Sequence, residues 1–361
     1  MRRYWRNFDW ILLVTTIVAV IFGIIMVRSA TINTPGLEDL VQRQVLFAVV
    51  GLALLFVTAA IEYQLLGTAS RVLYVITLGM LALVSAVGFA QGGAQRWLEI
   101  GWPIQPSELA KIVVVIALAR FLADREHRMN RITTYLGAIL LLAIPVGLIY
   151  LQPDLGTALS IAFAGAIMLL IAGLPMIYVV LSGVLALLAA PAVWLSLEDY
   201  MRNRIMLFLN PAANPDDFYN VNQALISIGN GGILGQGLFH GSQSQLHFLR
   251  VRHTDFIFSV VAEELGFIGA MFVLLLFFVL LMRLLRIADL ARDSFGRLIV
   301  IGITSLIFFQ VAVNIGMNLN LLPVTGKPLP LISYGGSSLL IFLIGIGLVQ
   351  SIAIRFKKLE F

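Results

Sequence analysis

The sequence His253-Thr-Asp-Phe-Ile-Phe-Ser-Val-Val-Ala-Glu-Glu264 takes the chain from its longest polar stretch into an apolar segment. Asp255 stands at the start of this segment, and Glu263 and Glu264 lie deeper in it. An ionised carboxylate in hydrocarbon costs roughly 2.5 kcal/mol or more, so acidic residues in membrane segments usually face a partner or a water-filled cavity. The stretch therefore predicts a membrane helix that carries functional carboxylates near one membrane surface.

The rest of the chain is similarly apolar. Of its 361 residues, 60% are hydrophobic and 12% are charged, and the mean hydropathy is +0.97, whereas roughly 25% of residues are charged in soluble domains. Stretches long enough to span a bilayer, about 17–25 residues each, are predicted at 10–27, 41–60, 72–90, 105–122, 133–150, 155–172, 174–195, 256–282, 298–320 and 335–354. We therefore predict an all-α polytopic membrane protein with about ten transmembrane helices.

The distribution of positive charge predicts the orientation. If the N-terminus is cytoplasmic, fifteen of the twenty-four Lys and Arg residues fall in inside segments, eight fall outside, and Lys111 lies within a span. Short cytoplasmic loops carry an excess of these residues, so both termini are predicted to be cytoplasmic. The net charge of +5 is then a topology signal, and without a nucleic-acid-binding motif it does not predict a nucleic-acid partner.

One connection, residues 196–254, is much longer than the others and is predicted to be an extracytoplasmic loop within a single membrane domain, 1–361. A loop of this length is usually functional or disordered. Its segment Tyr219–Ile228 has the spacing of an amphipathic helix, which predicts a helix along the membrane surface. Gly235 and Gly237 would let the following backbone approach a ligand closely. A purely structural surface loop is the alternative.

The acidic residues of the opening stretch are predicted to have different surroundings. Asp255 and Glu263 are eight residues apart, which on a helix means about 12 Å along the axis and about 80° around it. They could therefore line one cavity at two depths, whereas Glu264 points away and is expected to pair with a donor on a neighbouring helix. For Asp255 the alternative is a helix N-cap.

Two further groups of residues could carry chemistry. Glu108 and Lys111 share one helix face and can pair directly, either as a structural ion pair or to hold an anionic lipid headgroup. The last span begins with Ser333, Gly335, Gly336, Ser337 and Ser338, whose small side chains and exposed amides could bind phosphate. A tight helix crossing is the alternative for that segment.

Metal and nucleotide chemistry are weakly signalled. The chain has no cysteine, so disulfides and thiolate metal sites are excluded, and its four histidines lack the spacing of a zinc site. A weakly held Mg²⁺ or Mn²⁺ would need only one or two carboxylates and the phosphates of a substrate. No P-loop is present, so nucleotide hydrolysis is not predicted.

Several motifs together resemble the SEDS family (shape, elongation, division and sporulation), the RodA/FtsW/SpoVE group. The resemblance covers nearly the whole chain and is carried by Gln105-Pro-Ser-Glu-Leu-Ala-Lys111, Gln152-Pro-Asp-Leu-Gly156, Asn222-Gln-Ala-Leu-Ile226, His253-Thr-Asp-Phe-Ile257, Glu263-Glu-Leu-Gly266 and Pro328-Leu-Pro-Leu-Ile-Ser-Tyr-Gly-Gly-Ser-Ser338. The segments Pro323–Pro330 and Leu155–Leu159 resemble the RodA branch, which acts in cell elongation, more than the division branch.

The resemblance implies ten transmembrane helices and polymerisation of lipid II, the undecaprenyl-pyrophosphate-linked precursor, into peptidoglycan glycan strands. It implies that Asp255 is an essential acid and that Glu108 and Lys111 form an important intramembrane pair. It also implies a class B penicillin-binding protein transpeptidase and other elongation-complex membrane proteins as partners. The expected location is the bacterial cytoplasmic (inner) membrane, with the active site on its extracytoplasmic face.

The chemistry of that reaction agrees with the residues. The acceptor 4-hydroxyl must lose a proton, and a carboxylate within about 2.6–3.2 Å can be the general base; Asp255 is the predicted base. An α-linked donor and a β-linked product require one displacement with inversion. We expect Lys111, Arg204 or the Ser333–Ser338 turn to stabilise the leaving pyrophosphate, with Asp154, Glu263 and Lys327 as substrate-binding or structural support.

Two other classes of function remain open. A lipid II flippase would use the same buried polar groups to shelter the headgroup as it crosses the bilayer. It would need polar residues through the membrane depth, whereas here they gather at the predicted outer face. A noncatalytic scaffold for a wall-synthesis complex would keep its function after Asp255→Asn.

Overall fold

The computed structural model describes residues 7–32, 34, 36–87, 89–91, 94–100, 102–211, 215–246 and 248–355, except the side chains of 85–104 and 212–217. The terminal basic residues used for the orientation (Arg2, Arg3, Arg6, Lys357 and Lys358) lie outside the described residues. The helices in the described part of the chain are α1 (Trp10–Thr31), α2 (Leu40–Ala60), α3 (Tyr63–Val87), α4 (Pro106–Ala123), α5 (Ile132–Tyr150), α6 (Leu155–Ile171), α7 (Met176–Ser196), α8 (Asp199–Leu209), α9 (Pro215–Gly231), α10 (Ser242–Gln245), α11 (Ile257–Leu290), α12 (Ser294–Asn318) and α13 (Gly336–Ile354), with a 3₁₀ turn at Glu126–Arg128.

Eight described helices are long and apolar enough to cross a membrane: α1, α2, Tyr63–Val84 of α3, α5, α7, α11, α12 and α13. Helix α6 is also apolar but has 17 residues, and α4 has 18 that include three charged side chains. Each of the ten predicted spans falls on one of these ten helices, although α3 begins at Tyr63 rather than at residue 72. The prediction of an all-α polytopic membrane protein is therefore confirmed.

Helix α4 lies inside the bundle, and α7 lies at its edge. Most side chains of α4 are buried, and the helix packs against α3, α5, α6, α12 and α13. Helix α7 has no buried residue and is joined to α5 by hydroxyl pairs, Tyr135 with Ser182 at 2.9 Å and Tyr150 with Ser196 at 2.8 Å. The ionic residues at the start of α4 therefore face protein rather than lipid, which lets a charged helix lie in a membrane.

The helix ends meet in two groups. The starts of α4, α6, α11 and α13 lie together with the ends of α1 and α12, as shown by contacts such as Ser29 with Glu264 and Asn318 with Ser259. We refer to this side of the bundle as the Asp255 end. The opposite end holds the start of α1 and the last turns of α11, where Arg283 pairs with Asp9.

Helix α11 is broken near the Asp255 end, and the long connection packs into the break. Gly266 has a φ of +66° and a ψ of −160° inside the helix. The connection bonds to the backbone on both sides: Gln236 N–H donates to Glu263 O at 3.0 Å, and Phe267 N–H donates to Gly232 O at 2.9 Å. A Cβ added at Gly235, where φ is +81°, would lie 2.2 Å from Glu264 O. Gly235 thus allows a close approach to α11, not to a ligand as the sequence suggested.

The long connection contains regular structure. Helices α8, α9 and α10 lie within residues 196–254, and α9 (Pro215–Gly231) confirms the helix predicted from the amphipathic spacing at Tyr219–Ile228. Its orientation along the membrane surface stays a prediction. The loop therefore forms a folded cover over the start of α11.

A small antiparallel sheet between α3 and α4 was not predicted. It consists of β1 (Phe89–Gln91), β2 (Ala94–Ile100) and β3 (Trp102–Ile104), with β2 in the middle. Two of its strands have only three residues, which is too short for an alternating pattern to stand out. The sheet forms most of the connection between α3 and Gln105, which precedes α4.

Candidate active site around Asp255

Asp255 lies in a turn just before α11. The N-cap position of α11 belongs to Phe256, and no side chain caps the helix there, so the alternative in which Asp255 is the N-cap is wrong. The Asp255 carbonyl accepts hydrogen bonds from the side-chain amides of Asn314 and Asn318, both at 3.0 Å. The backbone of Asp255 is thus fixed by α12, whereas its carboxylate lies near Arg204 and Lys327.

Two cations, Arg204 from α8 and Lys327 from the segment between α12 and α13, lie around the Asp255 carboxylate. A Cβ added at Gly326 would be 3.1 Å from Arg204 Nη1 and 3.6 Å from Asp255 Oδ2. Gly326, with a φ of +69°, therefore lies between the base and the guanidinium. Among the described residues, no cation comes within 4.0 Å of the carboxylate to form an ion pair.

Burial raises the pKa of Asp255 above its ordinary value, and the positive charges of Arg204 and Lys327 oppose that rise. A carboxylate loses solvation when it is buried, which disfavours its charged form, while a nearby cation favours it. A raised pKa makes the ionised carboxylate a stronger base than an exposed aspartate. The site therefore combines a strengthened base with two positive charges that could face an anion.

Lys327 belongs to a buried charge cluster, formed by Glu108, Lys111, Asp154 and Lys327. Lys327 Nζ is 2.9 Å from Asp154 Oδ1 and 4.0 Å from Glu108 Oε1, and it also donates to the Thr157 hydroxyl. Glu108 Oε2 is 2.7 Å from Lys111 Nζ. Two acids and two lysines thus neutralise one another, as buried charges require.

Helices α6 and α4 hold the residues of the buried charge cluster in place. Asp154 is the N-cap of α6 and accepts the Thr157 N–H at 3.2 Å. Gly156 leaves room for the Lys327 stem, since an added Cβ would lie 2.7 Å from Lys327 Cε. Lys111 is 1% exposed and lies 4.7 Å from the centre of the Phe342 ring. This enclosure favours the structural ion pair for Glu108 and Lys111 over contact with a lipid headgroup.

The Ser333–Ser338 turn supports the segment that carries Asp255. Ser333 Oγ donates to Thr254 O at 2.6 Å, and Tyr334 N–H donates to His253 O at 2.9 Å. Gly336 packs closely on Phe47, with an added Cβ 2.5 Å from that ring. The other residues of the predicted phosphate site, Gly335, Ser337 and Ser338, follow at the start of α13. The contacts of Ser333 and Gly336 are those of a packed turn and match the tight helix crossing.

Glu263 does not share a cavity with Asp255. Its carboxylate accepts the Gln243 N–H at 2.6 Å and the Ser244 N–H at 3.2 Å, so it holds the start of α10. The expectation failed because Asp255 precedes the helix and the long connection folds back over α11. Glu264 accepts from Ser29 Oγ at 2.5 and 2.7 Å, which confirms a donor on a neighbouring helix.

The chain belongs to the FtsW/RodA/SpoVE family. The model of this family, described as "Cell cycle protein", matches residues 9–358. Peptidoglycan glycosyltransferase MrdB of Escherichia coli strain K12 is 38% identical over 357 residues, covering 98% of this chain and 95% of that protein. The family predicted from the motifs is therefore confirmed.

Solved structures of FtsW/RodA/SpoVE relatives have the same fold. A chain from a peptidoglycan synthase complex, described for its structural coordination of polymerization and crosslinking, has a TM-score of 0.83 and 36% identity, covering 96% of this chain and 97% of that one. The rod shape determining protein RodA of Thermus thermophilus has a TM-score of 0.74 and 34% identity, covering 97% and 98%. The likeness thus extends over nearly the whole chain.

Sequence reasoning missed several residues around the candidate site. Gln310, Asn314 and Asn318 recur every four residues on the apolar helix α12 and are 0–1% exposed, a spacing that was a readable signal. Arg252 donates to Ala30 O at 2.7 Å and to Thr34 Oγ1 at 2.6 Å, which ties the turn before Asp255 to the end of α1. Burial, with a smaller contribution from Arg252, lowers the pKa of His253 to about 4. His253 is therefore neutral near pH 7.

Proposed function

We propose that this chain, a peptidoglycan glycosyltransferase of cell-wall synthesis, polymerises lipid II into β-1,4 glycan strands during cell elongation, with Asp255 as the general base. Membership of the FtsW/RodA/SpoVE family and a relative named as a peptidoglycan glycosyltransferase support the activity. The observation that carries the assignment of the base is the Asp255 carboxylate, set between two cations with no ion pair in the described part of the chain.

Asp255 would remove the proton from the acceptor 4-hydroxyl as the glycosidic bond forms. A general base works best when its pKa lies near the operating pH, and burial moves the pKa of Asp255 in that direction. The donor sugar leaves an α-linked pyrophosphate, so one displacement with inversion gives the β linkage without a covalent sugar–enzyme intermediate. No acid needs to protonate the leaving group, because pyrophosphate departs as an anion.

Arg204 is the residue we assign to the leaving pyrophosphate. Its guanidinium is partly exposed, lies beside Gly326 and is 4.9 Å from the Tyr200 ring centre. A planar guanidinium binds phosphate oxygens through two parallel hydrogen bonds. Lys327 adds positive charge from inside the buried charge cluster, while Lys111 is too enclosed to touch the substrate and acts through Glu108. The Lys111→Met variant would then lose activity through Lys327, with the fold weakened as well.

A divalent cation is a further proposal. Mg²⁺ or Mn²⁺ commonly binds one or two carboxylates together with substrate phosphates. Among the described residues no group of three or more His, Asp or Glu side chains forms a protein-only metal site. The phosphates of lipid II would then supply most of the ligands of such an ion, which would neutralise charge on the leaving group.

The location and partners follow from the same proposal. The distribution of Lys and Arg supports a bacterial cytoplasmic membrane protein with both termini inside and Asp255 on the extracytoplasmic face. A relative solved within a peptidoglycan synthase complex that coordinates polymerization and crosslinking supports a class B penicillin-binding protein transpeptidase as partner. Other elongation-complex membrane proteins would bind the same assembly.

The test is polymerisation of lipid II by the purified protein with its partner transpeptidase. Asp255→Asn should abolish polymer formation, because the amide cannot accept the proton. Asp289→Asn is the matched control, since Asp289 is an exposed aspartate at the opposite end of α11; it should leave the rate unchanged. Equal thermal unfolding of both variants and the wild type would exclude misfolding.

Other outcomes point to other functions. Equal polymer from wild type and Asp255→Asn would place the base elsewhere. If the wild type forms no polymer but moves fluorescent lipid II across vesicles, the flippase replaces the glycosyltransferase. If it does neither and still stimulates its partner, the scaffold does.

A further inference from the structure

Helix α12 carries a row of buried amides, Gln310, Asn314 and Asn318, which we call the amide ladder. Their spacing of four residues places them along one face of the helix, and each is at most 1% exposed. The rest of α12 near them is apolar, with Val311, Val313 and Ile315 buried as well. Three buried amides in one membrane helix need polar partners, since an unpaired amide in such surroundings is costly.

The partners of the two asparagines are the backbone segments of the site. Asn314 Nδ2 donates to Asp255 O at 3.0 Å and to Lys327 O at 2.7 Å. Asn318 Nδ2 donates to Asp255 O at 3.0 Å, and its Oδ1 accepts from Ser259 Oγ at 2.7 Å. Asn314 thus bridges the backbone of Asp255 to the backbone of Lys327. Asn318 links the backbone of Asp255 to Ser259 at the start of α11.

Gln310 continues the amide ladder into the buried charge cluster. Its Oε1 accepts from Lys111 Nζ at 3.2 Å, and its Nε2 donates to Pro328 O at 2.9 Å. The amide ladder therefore touches the α4 lysine, both residues that follow Gly326, and Asp255. Hydrogen bonds between membrane helices contribute only modestly to stability on average, so the amide ladder contributes mainly by fixing the relative position of these segments.

We propose that Asn314 is the positioning residue of the active site: by bonding to the backbone carbonyls of both Asp255 and Lys327, its amide sets the relative position of the Asp255 carboxylate and the Lys327 ammonium that the reaction requires. This inference rests on the proposed function of Asp255. Asn318 and Gln310 hold the same segments on either side. A displacement of a reacting group by about 1 Å can lower a rate roughly 100-fold, so a loss of this bridge should act on the chemical step.

The experiment compares Asn314→Leu with Gln350→Leu in the complex with the partner transpeptidase. Gln350 on α13 is the matched control: it is fully buried, donates to Asp9 O at 2.7 Å and accepts from Asp9 N–H at 3.0 Å. It makes two backbone hydrogen bonds, as Asn314 does, but at the opposite end of the bundle. Both substitutions replace a buried amide with an apolar side chain of similar size, so both should lower the unfolding temperature by similar amounts.

The expected result is a split between kcat and KM. Asn314→Leu should lower kcat for lipid II polymerisation roughly 10- to 100-fold with little change in KM, and should shift the acid limb of the pH–rate profile. Gln350→Leu should leave kcat, KM and the pH profile unchanged. If both variants lose activity only in proportion to their loss of folded protein, the amide of Asn314 has a structural role and the inference is wrong.

Two further variants keep the inference testable. If Asn314→Leu does not fold, Asn314→Ser, which keeps one donor, should fold and show an intermediate loss of kcat; an unchanged kcat would overturn the inference. Asp255→Asn in parallel separates the two proposals. An active Asp255→Asn contradicts the proposed base, whereas an inactive Asp255→Asn with a fully active Asn314→Leu contradicts only the positioning role.

Discussion

The two ends of α11 hold their charges in different ways. At the opposite end, Arg283 Nε lies 3.2 Å from Asp9 Oδ2, and Asp9 also caps α1 by accepting the Leu12 N–H at 2.9 Å. At the Asp255 end, the backbone carbonyl of Asp255 is bonded twice, but its carboxylate makes no ion pair among the described residues. Asp9 and Arg283 are thus paired with each other within the protein. The Asp255 carboxylate makes no such pair among the described residues, so it can act on a substrate.

This contrast distinguishes structural charges from reactive ones in the bundle. The buried charge cluster behaves like the Asp9–Arg283 pair, since each acid has a lysine as partner. Asp255 differs because Arg204 and Lys327 lie near its carboxylate but form no ion pair with it. Arg204 differs as well, since its guanidinium donates a long hydrogen bond of 3.4 Å to Val324 O. A hydroxyl and a phosphate can therefore approach these two residues without breaking a strong pair.

The largest effect should come from removing Lys327, one of the two cations of the buried charge cluster. Lys327→Met should lower the free energy of unfolding by about 3–5 kcal/mol, because breaking one side of a buried ion pair leaves its partner uncompensated. Asp154, at 2% exposure, is that partner. Polymerisation should be lost as well, since Lys327 also supports Asp255. Thermal unfolding in detergent and the lipid II assay measure the two effects.

Arg283→Met is the matched control at the opposite end. Arg283 is 21% exposed, so loss of its pair with Asp9 should cost about 1–2 kcal/mol of stability and leave the rate per folded molecule unchanged. If Arg283→Met abolished polymerisation while the protein stayed folded, the contrast between a structural end and a reactive end would be wrong.

An intermediate effect is expected from Arg204→Gln. The rate needs ionised Asp255, so it should fall as the pH drops through the raised pKa of this carboxyl, earlier than for an ordinary aspartate. Arg204 opposes that rise in pKa, so its removal should move the acid limb of the pH–rate profile to higher pH. Loss of a cation at the leaving group should also lower kcat roughly 10- to 100-fold.

The control for Arg204→Gln lies on the same helix. Arg202 is 3.5 Å from Asp199 and bonds to carbonyls at the end of α7, away from the site. Arg202→Gln should leave the acid limb in place. An acid limb that does not move in Arg204→Gln would show that this guanidinium does not act on Asp255.

Local patterns predicted part of this site, and long-range contacts account for the rest. The spacing of Glu108 and Lys111 was enough to predict their pair, because residues three apart share a helix face. The ion pair of Lys327 with Asp154 spans 173 residues, and no local pattern encodes such a contact. The bond from Glu263 to the long connection was missed for the same reason, since it depends on how a loop folds back over α11.

The smallest effect tests whether the cover over α11 is as firmly tied as the contacts suggest. Glu263→Gln replaces a carboxylate that accepts two backbone N–H groups of the connection, and the amide can accept at only one of its two atoms. Loss of charge-assisted bonds of this kind should cost about 1–2 kcal/mol, felt locally. Hydrogen exchange at residues 242–245 should become faster, with the core helices unchanged.

Glu126→Gln is the control for this change, because Glu126 is an exposed glutamate at the opposite end that accepts a single bond, from Ser294 Oγ at 2.8 Å. It should leave exchange at residues 242–245 unaltered. If the folded connection shields the start of α11, loosening it should weaken the binding of lipid II. Faster exchange in Glu263→Gln should therefore be accompanied by a higher KM for lipid II and a nearly unchanged kcat. If kcat fell instead, Glu263 would act on the chemical step. It would then belong with Asp255 rather than with the residues that only support the site.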